Sequence, residues 1–387
     1  MQRLDALARE AAELAAGQPG AAPPTDALQD AARMLQICNA CRYCEGYCAV
    51  FQAMTRRLEF GRGDVHYLAN LCHGCGACLH ACQYAPPHEF GVNVPRAMAR
   101  VRAQTWAAHA WPAAFGALYR RNGLVLSLLL VAALALFLML MAASPGSAVR
   151  ASGDFYRVFP HGLMVALFAP VFVFAVIVLA VGVRRFFKGL HAGAVPPEAS
   201  REAARDALTL KYLDGGHGEG CNEADDAFTL ARRRAHHLVF YGFMLCFAAT
   251  CVATLYHYVL SLRAPYDWTS LPKLLGTTGG VALAIGSAWL GWLYRVRHPL
   301  HREPSQAGMD IGFIALLFVV ATSGLALALA RTTSTMPLLL SLHLAAVMVL
   351  FVTLPYGRFA HGVYRVGALV KWSIEKRQPA PFDASEG

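Results

Sequence analysis

Cys38-Asn39-Ala40-Cys41-Arg42-Tyr43-Cys44-Glu45-Gly46-Tyr47-Cys48 is followed by Cys72-His73-Gly74-Cys75-Gly76-Ala77-Cys78-Leu79-His80-Ala81-Cys82, so one spacing, C-x2-C-x2-C-x3-C, occurs twice in a short stretch. Three cysteines at this spacing wrap a loop whose thiolates reach three corners of a cubane iron-sulfur cluster. The fourth, one turn on, points away and in two-cluster ferredoxins ligates the other cluster. The reading therefore assigns Cys38, Cys41, Cys44 and Cys82 to one [4Fe-4S] cluster, and Cys72, Cys75, Cys78 and Cys48 to a second. Zinc sites draw on separated C-x2-4-C pairs, and disulfides are out of place in a reducing compartment, so neither explains the repeat as well. One departure is that Ala49 and Gln83 stand where a proline usually follows the fourth cysteine. Cys221, Cys246 and Cys251 lack such spacing and read as incidental or packed thiols.

Around these runs, residues 25–120 form a polar head whose helices are expected to be short, broken by Gly61-Arg62-Gly63 and Pro86-Pro87. With too little apolar sequence for a core of its own, the head would rely on its metal groups for stability. Residues 1–24 read as an Ala-rich helix and a Gly/Pro linker. Asp5, Glu10 and Glu13 interrupt any apolar core of the kind a secretory signal needs.

The rest of the chain belongs in lipid. Of its 387 residues 56% are hydrophobic and 15% charged, and the mean hydropathy is +0.41. Apolar runs of about 18 to 23 residues begin near Leu124, Leu163, Leu238, Thr277, Ile311 and Leu338, which predicts six spans. The expected architecture is all-α: a two-cluster ferredoxin-like helical head, a six-helix membrane domain over 121–371 with a cytoplasmic loop at 191–235, and a disordered tail at 372–387. The net charge of +10 does not mark nucleic-acid binding, because the basic residues flank the apolar runs instead of forming one patch. They alternate with runs poor in Lys and Arg, which predicts a multi-pass protein of a bacterial-type inner membrane with both termini cytoplasmic.

Ionisable residues within spans are rare and usually functional. His236 and His237 open the third span and His257 lies near its outer end; His343 and His361 lie near the outer and inner ends of the sixth. Antiparallel running brings His257 to the depth of His343, and His236 to that of His361, giving two bis-histidine sites for one or two b-type haems. At about 100° per residue, His236 shares a face with His257 better than His237 does, which leaves His237 the inner alternate. His161, at the outer start of the second span, is the outer alternate. His191, His298 and His301 lie in basic flanks and read as solvated.

The cysteine runs, the stretch Gln83-Tyr84-Ala85-Pro86-Pro87-His88-Glu89-Phe90 and the strings Arg234-Ala235-His236-His237, Tyr241-Gly242-Phe243 and Tyr256-His257-Tyr258 resemble the tricarballylate and citrate utilization B protein family, TcuB/CitB. The resemblance runs from about Met34 to Lys371. It implies an FAD-dependent dehydrogenase as partner, which oxidises tricarballylate to cis-aconitate, and a role in reoxidising its flavin and passing electrons to the membrane quinone pool. A related module ends the cobalamin-biosynthesis protein CobZ, so service to precorrin oxidation is an alternative. A transporter or sensor with a redox head is another, suggested by Pro170, Gly286 and Gly324 as interruptions of spans. The chain shows no G-x-G-x-x-G fingerprint and no nucleophile or acid/base constellation, so a substrate-oxidising site of its own is not expected.

Overall fold

The structure, a computed structural model, describes residues 26–142 and 154–379. The expected N-terminal helix and linker and the end of the tail, 380–387, lie outside the described residues.

Five helices build the head. α1 (Asp26–Cys41) buries Leu28, Ala31, Met34 and Leu35, the three- and four-residue spacing that lines one helical face. α2 (Ala49–Met54) and α3 (Arg62–Leu71) pack beside it. α4 (Ala77–His80) is a single turn. α5 (Val94–His109) starts at Asn93, whose side chain accepts from the Arg96 amide at 3.1 Å, with Pro95 in the first turn where no amide donor is needed.

Beyond the head run α6 (Ala113–Ala142), the short α7 (Phe155–Val158), α8 (His161–Gly189) and α9 (Pro197–Leu208). A strand pair follows, β1 (Cys221–Asn222) against β2 (Phe228–Thr229) with Cys221 opposite Thr229. Then come α10 (Ala231–Tyr258), α11 (Leu271–Val296), α12 (Ala307–Ala330), α13 (Met336–Thr353) and α14 (Ala360–Glu375). Six of these helices, α6, α8 and α10–α13, are long and apolar enough to cross a membrane.

Several sequence expectations need correcting. Pro170, Gly286 and Gly324 do not interrupt their spans, because each lies inside a continuous helix. Gly286, together with Gly242 of α10, is instead a contact point between helices. A Cβ at Gly286 would stand 2.8 Å from the Leu238 Cβ, and one at Gly242 would stand 2.6 Å from the Leu283 amide nitrogen, so α10 and α11 approach closely along small residues. The loop expected at 191–235 carries α9 and the strand pair, and α10 already begins inside it at Ala231. The tail is ordered past Trp372, since α14 runs to Glu375 and both Lys376 and Arg377 pair with Glu202 of α9.

The head also has a core, shared with the membrane domain. Leu35, Met54, Leu68 and Met98 are continuous with Phe186 of α8, Ala203 of α9, and Tyr364, Leu369 and Trp372 of α14. Polar links reinforce the join. Tyr67 Oη donates to Glu375 at 3.0 Å, Gln306 donates to the Ala99 carbonyl at 2.7 Å, and Arg96 and Arg100 reach Glu303 at 3.1 and 2.7 Å. The apolar sequence missing from residues 25–120 is supplied by distant parts of the chain.

Candidate functional site

Cys38 and Cys41 close α1. Arg42, in the left-handed region at φ 55, turns the chain so that Cys44 faces back toward them. Cys38, Cys41, Cys44 and Cys82 line a cavity of about 290 Å³ whose other walls include Ile37, Phe51, Tyr84 and Val92. Cys48, the extended residue before α2, turns the other way. It lines a second, smaller cavity with Cys72, Cys75 and Cys78, roofed by Tyr212 and Gly215 of the 191–235 loop. Cys78 reaches both cavities. Gly74 and Gly76, at φ 62 and 90, allow the second loop its curvature; a Cβ on Gly76 would strike the His301 ring at 2.4 Å.

No three His, Cys, Asp or Glu side chains among the described residues converge tightly enough for a single ion. The thiols ring a volume instead, which suits a multi-iron group better than one tetrahedral metal. Burial, reinforced by the neighbouring Cys82, pushes the Cys38 and Cys44 thiols up to about 12. They would become ligands only by exchanging protons for metal. Cys75 goes the other way, to about 7: the Cys221 thiol bonds to it and outweighs burial, helped by Arg232 and Arg297. Cys221 lies in neither cavity wall but packs against Cys75, so the position that sequence left as incidental abuts a candidate ligand.

Four arginines hold the second cysteine loop. Arg102 of α5 donates to the Cys72 carbonyl at 2.5 Å and Arg365 of α14 to the same oxygen at 2.7 Å. Arg232 donates to the Gly74 carbonyl at 3.3 Å, joined there by Arg297. Burial pulls Arg297 and Arg365 down to about 9, so both stay cationic at neutral pH. Arg232, Arg297 and Arg365 had counted only as basic flanks of spans. They turn inward because the loop presents carbonyls that no helix or strand satisfies.

His236 and His361 come together, with ring centroids 5.9 Å apart at 78°. His361 Nδ1 is bonded to the Arg358 carbonyl, leaving Nε2 as the free nitrogen, and His236 Nδ1 is buried without a partner. Burial, ahead of Arg365, holds His361 well below the usual imidazole range, so it is neutral and able to ligate. Two buried imidazoles this close could hold a haem iron, which would supply one-electron chemistry there. His237 faces Tyr241 instead.

Among the described residues His257 and His343 share no ring contact. His257 stacks on His161, centroids 3.9 Å apart at 20°, and His343 Nδ1 is 3.1 Å from the Ser323 hydroxyl. Depth explains the difference: His343 sits two turns inside α13, roughly 10 Å along the helix, whereas His257 is in the last turn of α10. His301, expected to be solvated, is buried against Gly76, with its Nε2 3.0 Å from His80 Nε2; burial and then Arg297 push it down to about 2.

A cysteine-rich head packed on six apolar helices defines a multi-pass membrane protein with an iron-sulfur electron-transfer role. The family is equally plain. The family model for citrate utilization protein B matches residues 117–382, and that for the citrate utilization protein B Fer4-like domain matches 31–108. The citrate utilization protein B of Escherichia coli is 56% identical over 356 residues, 92% of this chain and 94% of the relative. This chain belongs to the citrate utilization protein B family. No solved structure matches it.

Proposed function

We propose that this chain takes electrons from the reduced flavin of an FAD-dependent dehydrogenase and delivers them to the quinone pool of a bacterial-type inner membrane, with both termini cytoplasmic. The residues that would hold its groups are Cys38, Cys41, Cys44 and Cys82 for one [4Fe-4S] cluster, Cys72, Cys75, Cys78 and Cys48 for the other, and His236 with His361 for a haem b. Bound there, these groups would supply the one-electron steps that link a two-electron donor to a membrane acceptor.

The observation that carries the reading is continuity. Cys78 borders both cavities, and Arg365, bonded to the Cys72 carbonyl, sits one turn from His361 on α14. His73, next to Cys72 in sequence, lies near His236. At the other end, exposed Tyr43 borders the first cavity, which suits entry from a docked flavoprotein. The family's name and the resemblance to tricarballylate utilization proteins support a tricarboxylate-oxidising donor.

The test combines the purified chain, its flavoprotein partner, the organic substrate and a quinone analogue. The expected result is substrate-dependent quinone reduction, with b-type haem bands in the reduced-minus-oxidised spectrum. No quinone reduction by a sample with full iron content would overturn the proposal.

A further inference from the structure

The two cysteine sites differ in the charge around them. The loop of the second site holds Arg102, Arg232, Arg297 and Arg365 within hydrogen-bond reach of the Cys72 and Gly74 carbonyls. Two carboxylates offset the group without cancelling it: Glu223, engaged by Arg232, and Asp310, which acts on Arg102 and pairs with a fifth arginine, Arg358, at 3.2 Å. One further donor points at a thiol itself, the Gly74 amide 3.3 Å from Cys72 Sγ, and buried Cys221 packs against Cys75. Around the loop of the first site the charges are Arg42 and Glu45, opposite in sign and both exposed to solvent. Among the described residues its one side-chain donor toward sulfur is the Gln83 amide, 4.0 Å from Cys41 Sγ.

A cluster bound by four thiolates is anionic, and gaining an electron makes it more so. Nearby cations and donors to sulfur stabilise the reduced form, and they do so more strongly away from water. We infer that the four arginines make the Cys48/Cys72/Cys75/Cys78 site the higher-potential of the two, so that each electron leaving the Cys38/Cys41/Cys44/Cys82 site runs downhill toward the membrane. The step is a one-electron exchange: the first site is oxidised by one electron, the second is reduced by one, and the partner's reduced flavin replenishes the first. This inference rests on the proposed function and adds a direction to it.

The experiment is a redox titration of the detergent-purified full chain followed by electron paramagnetic resonance, with iron quantified on the same sample. Two midpoints are expected. Arg102→Gln and Arg297→Gln should each lower the higher midpoint alone, while Arg102→Lys, which keeps the charge, should restore most of it. A tenfold fall in the reduced-to-oxidised ratio at fixed potential corresponds to about 59 mV for a one-electron couple. In Cys41→Ser the surviving signal should be the higher-potential one. Equal midpoints, a survivor at the lower potential, or a glutamine variant that moves the lower midpoint would overturn the inference while leaving the conduit intact. Iron well below about eight atoms per chain in the wild type would overturn the two-cluster reading itself.

Discussion

Exchanging the fourth cysteines is the sharpest perturbation the structure offers. Cys82 lines the first cavity with Cys38, Cys41 and Cys44, and Cys48 lines the second with Cys72, Cys75 and Cys78. Cys82→Ala should therefore share its spectrum with Cys41→Ala, and Cys48→Ala with Cys75→Ala. Each replacement removes one ligand in four from one cubane, so iron should fall by about four of about eight atoms per chain, with the second cluster retained. Cys78→Ala should be the exception and disturb both, because Cys78 borders both cavities. Cys221→Ala is the control: it touches Cys75 but lines neither cavity, and both clusters should persist. Iron and sulfide analysis with low-temperature spectroscopy on detergent-purified variants reads all of this. Should Cys82→Ala match Cys75→Ala and leave the Cys41→Ala spectrum distinct, the crossed arrangement is wrong.

Three further outcomes are expected. His236→Ala and His361→Ala should abolish the same b-type haem bands, and His237→Ala should leave them, as read in reduced-minus-oxidised spectra; loss in one of the first pair without the other would break the pairing. Gly216, at φ 88, would place a Cβ 0.7 Å from the Tyr47 carbonyl oxygen, whereas Gly218, at φ 91, has open space. Both alanines pay the left-handed cost of about 1–2 kcal/mol. Only Gly216→Ala should also push the loop off Cys48, lower the melting temperature further and speed oxidative bleaching of the second site; equal behaviour of the two variants would show the contact to be idle. Glu202 feels burial, which raises it, but hydrogen bonds from Lys376, Ser373 and Arg377 outweigh this and hold it at about 2. Its folded value lies below the unfolded one, so the link from α9 to α14 is intact above about pH 4.5 and fails as pH falls toward 2. Faster proteolysis of the C-terminal segment across that window, absent in Glu202→Gln, is the check.

The elements legible from sequence were those fixed by local register. The cysteine spacing and the six apolar runs can be read without knowing what any residue touches. What stayed hidden depends on which helices are neighbours. A guanidinium at a span end looks the same whether it faces headgroups or a buried carbonyl, so Arg232, Arg297 and Arg365 passed as topology signals. His257 and His343 looked level because spans were compared by their ends, yet α13 is packed against α6 and α12, and His343 is bonded to Ser323 of α12. His301 carried a weak clue: it ends a short 3-10 turn, Pro299–His301, between α11 and α12, tight enough to aim one side chain inward.

Finally, the shared core sets an order of events during biosynthesis. α1–α5 leave the ribosome first, but the groups that close over them come last: Glu375 receives Tyr67 and Arg57, Arg365 grips the Cys72 carbonyl, and Trp372 donates to Tyr212 at 3.1 Å. Until every span has been inserted and α14 has docked, the cysteine loops lack part of their cover. Iron and sulfide can thus be loaded while the chain is still maturing, and a prematurely terminated chain keeps an open head that quality-control proteases can recognise.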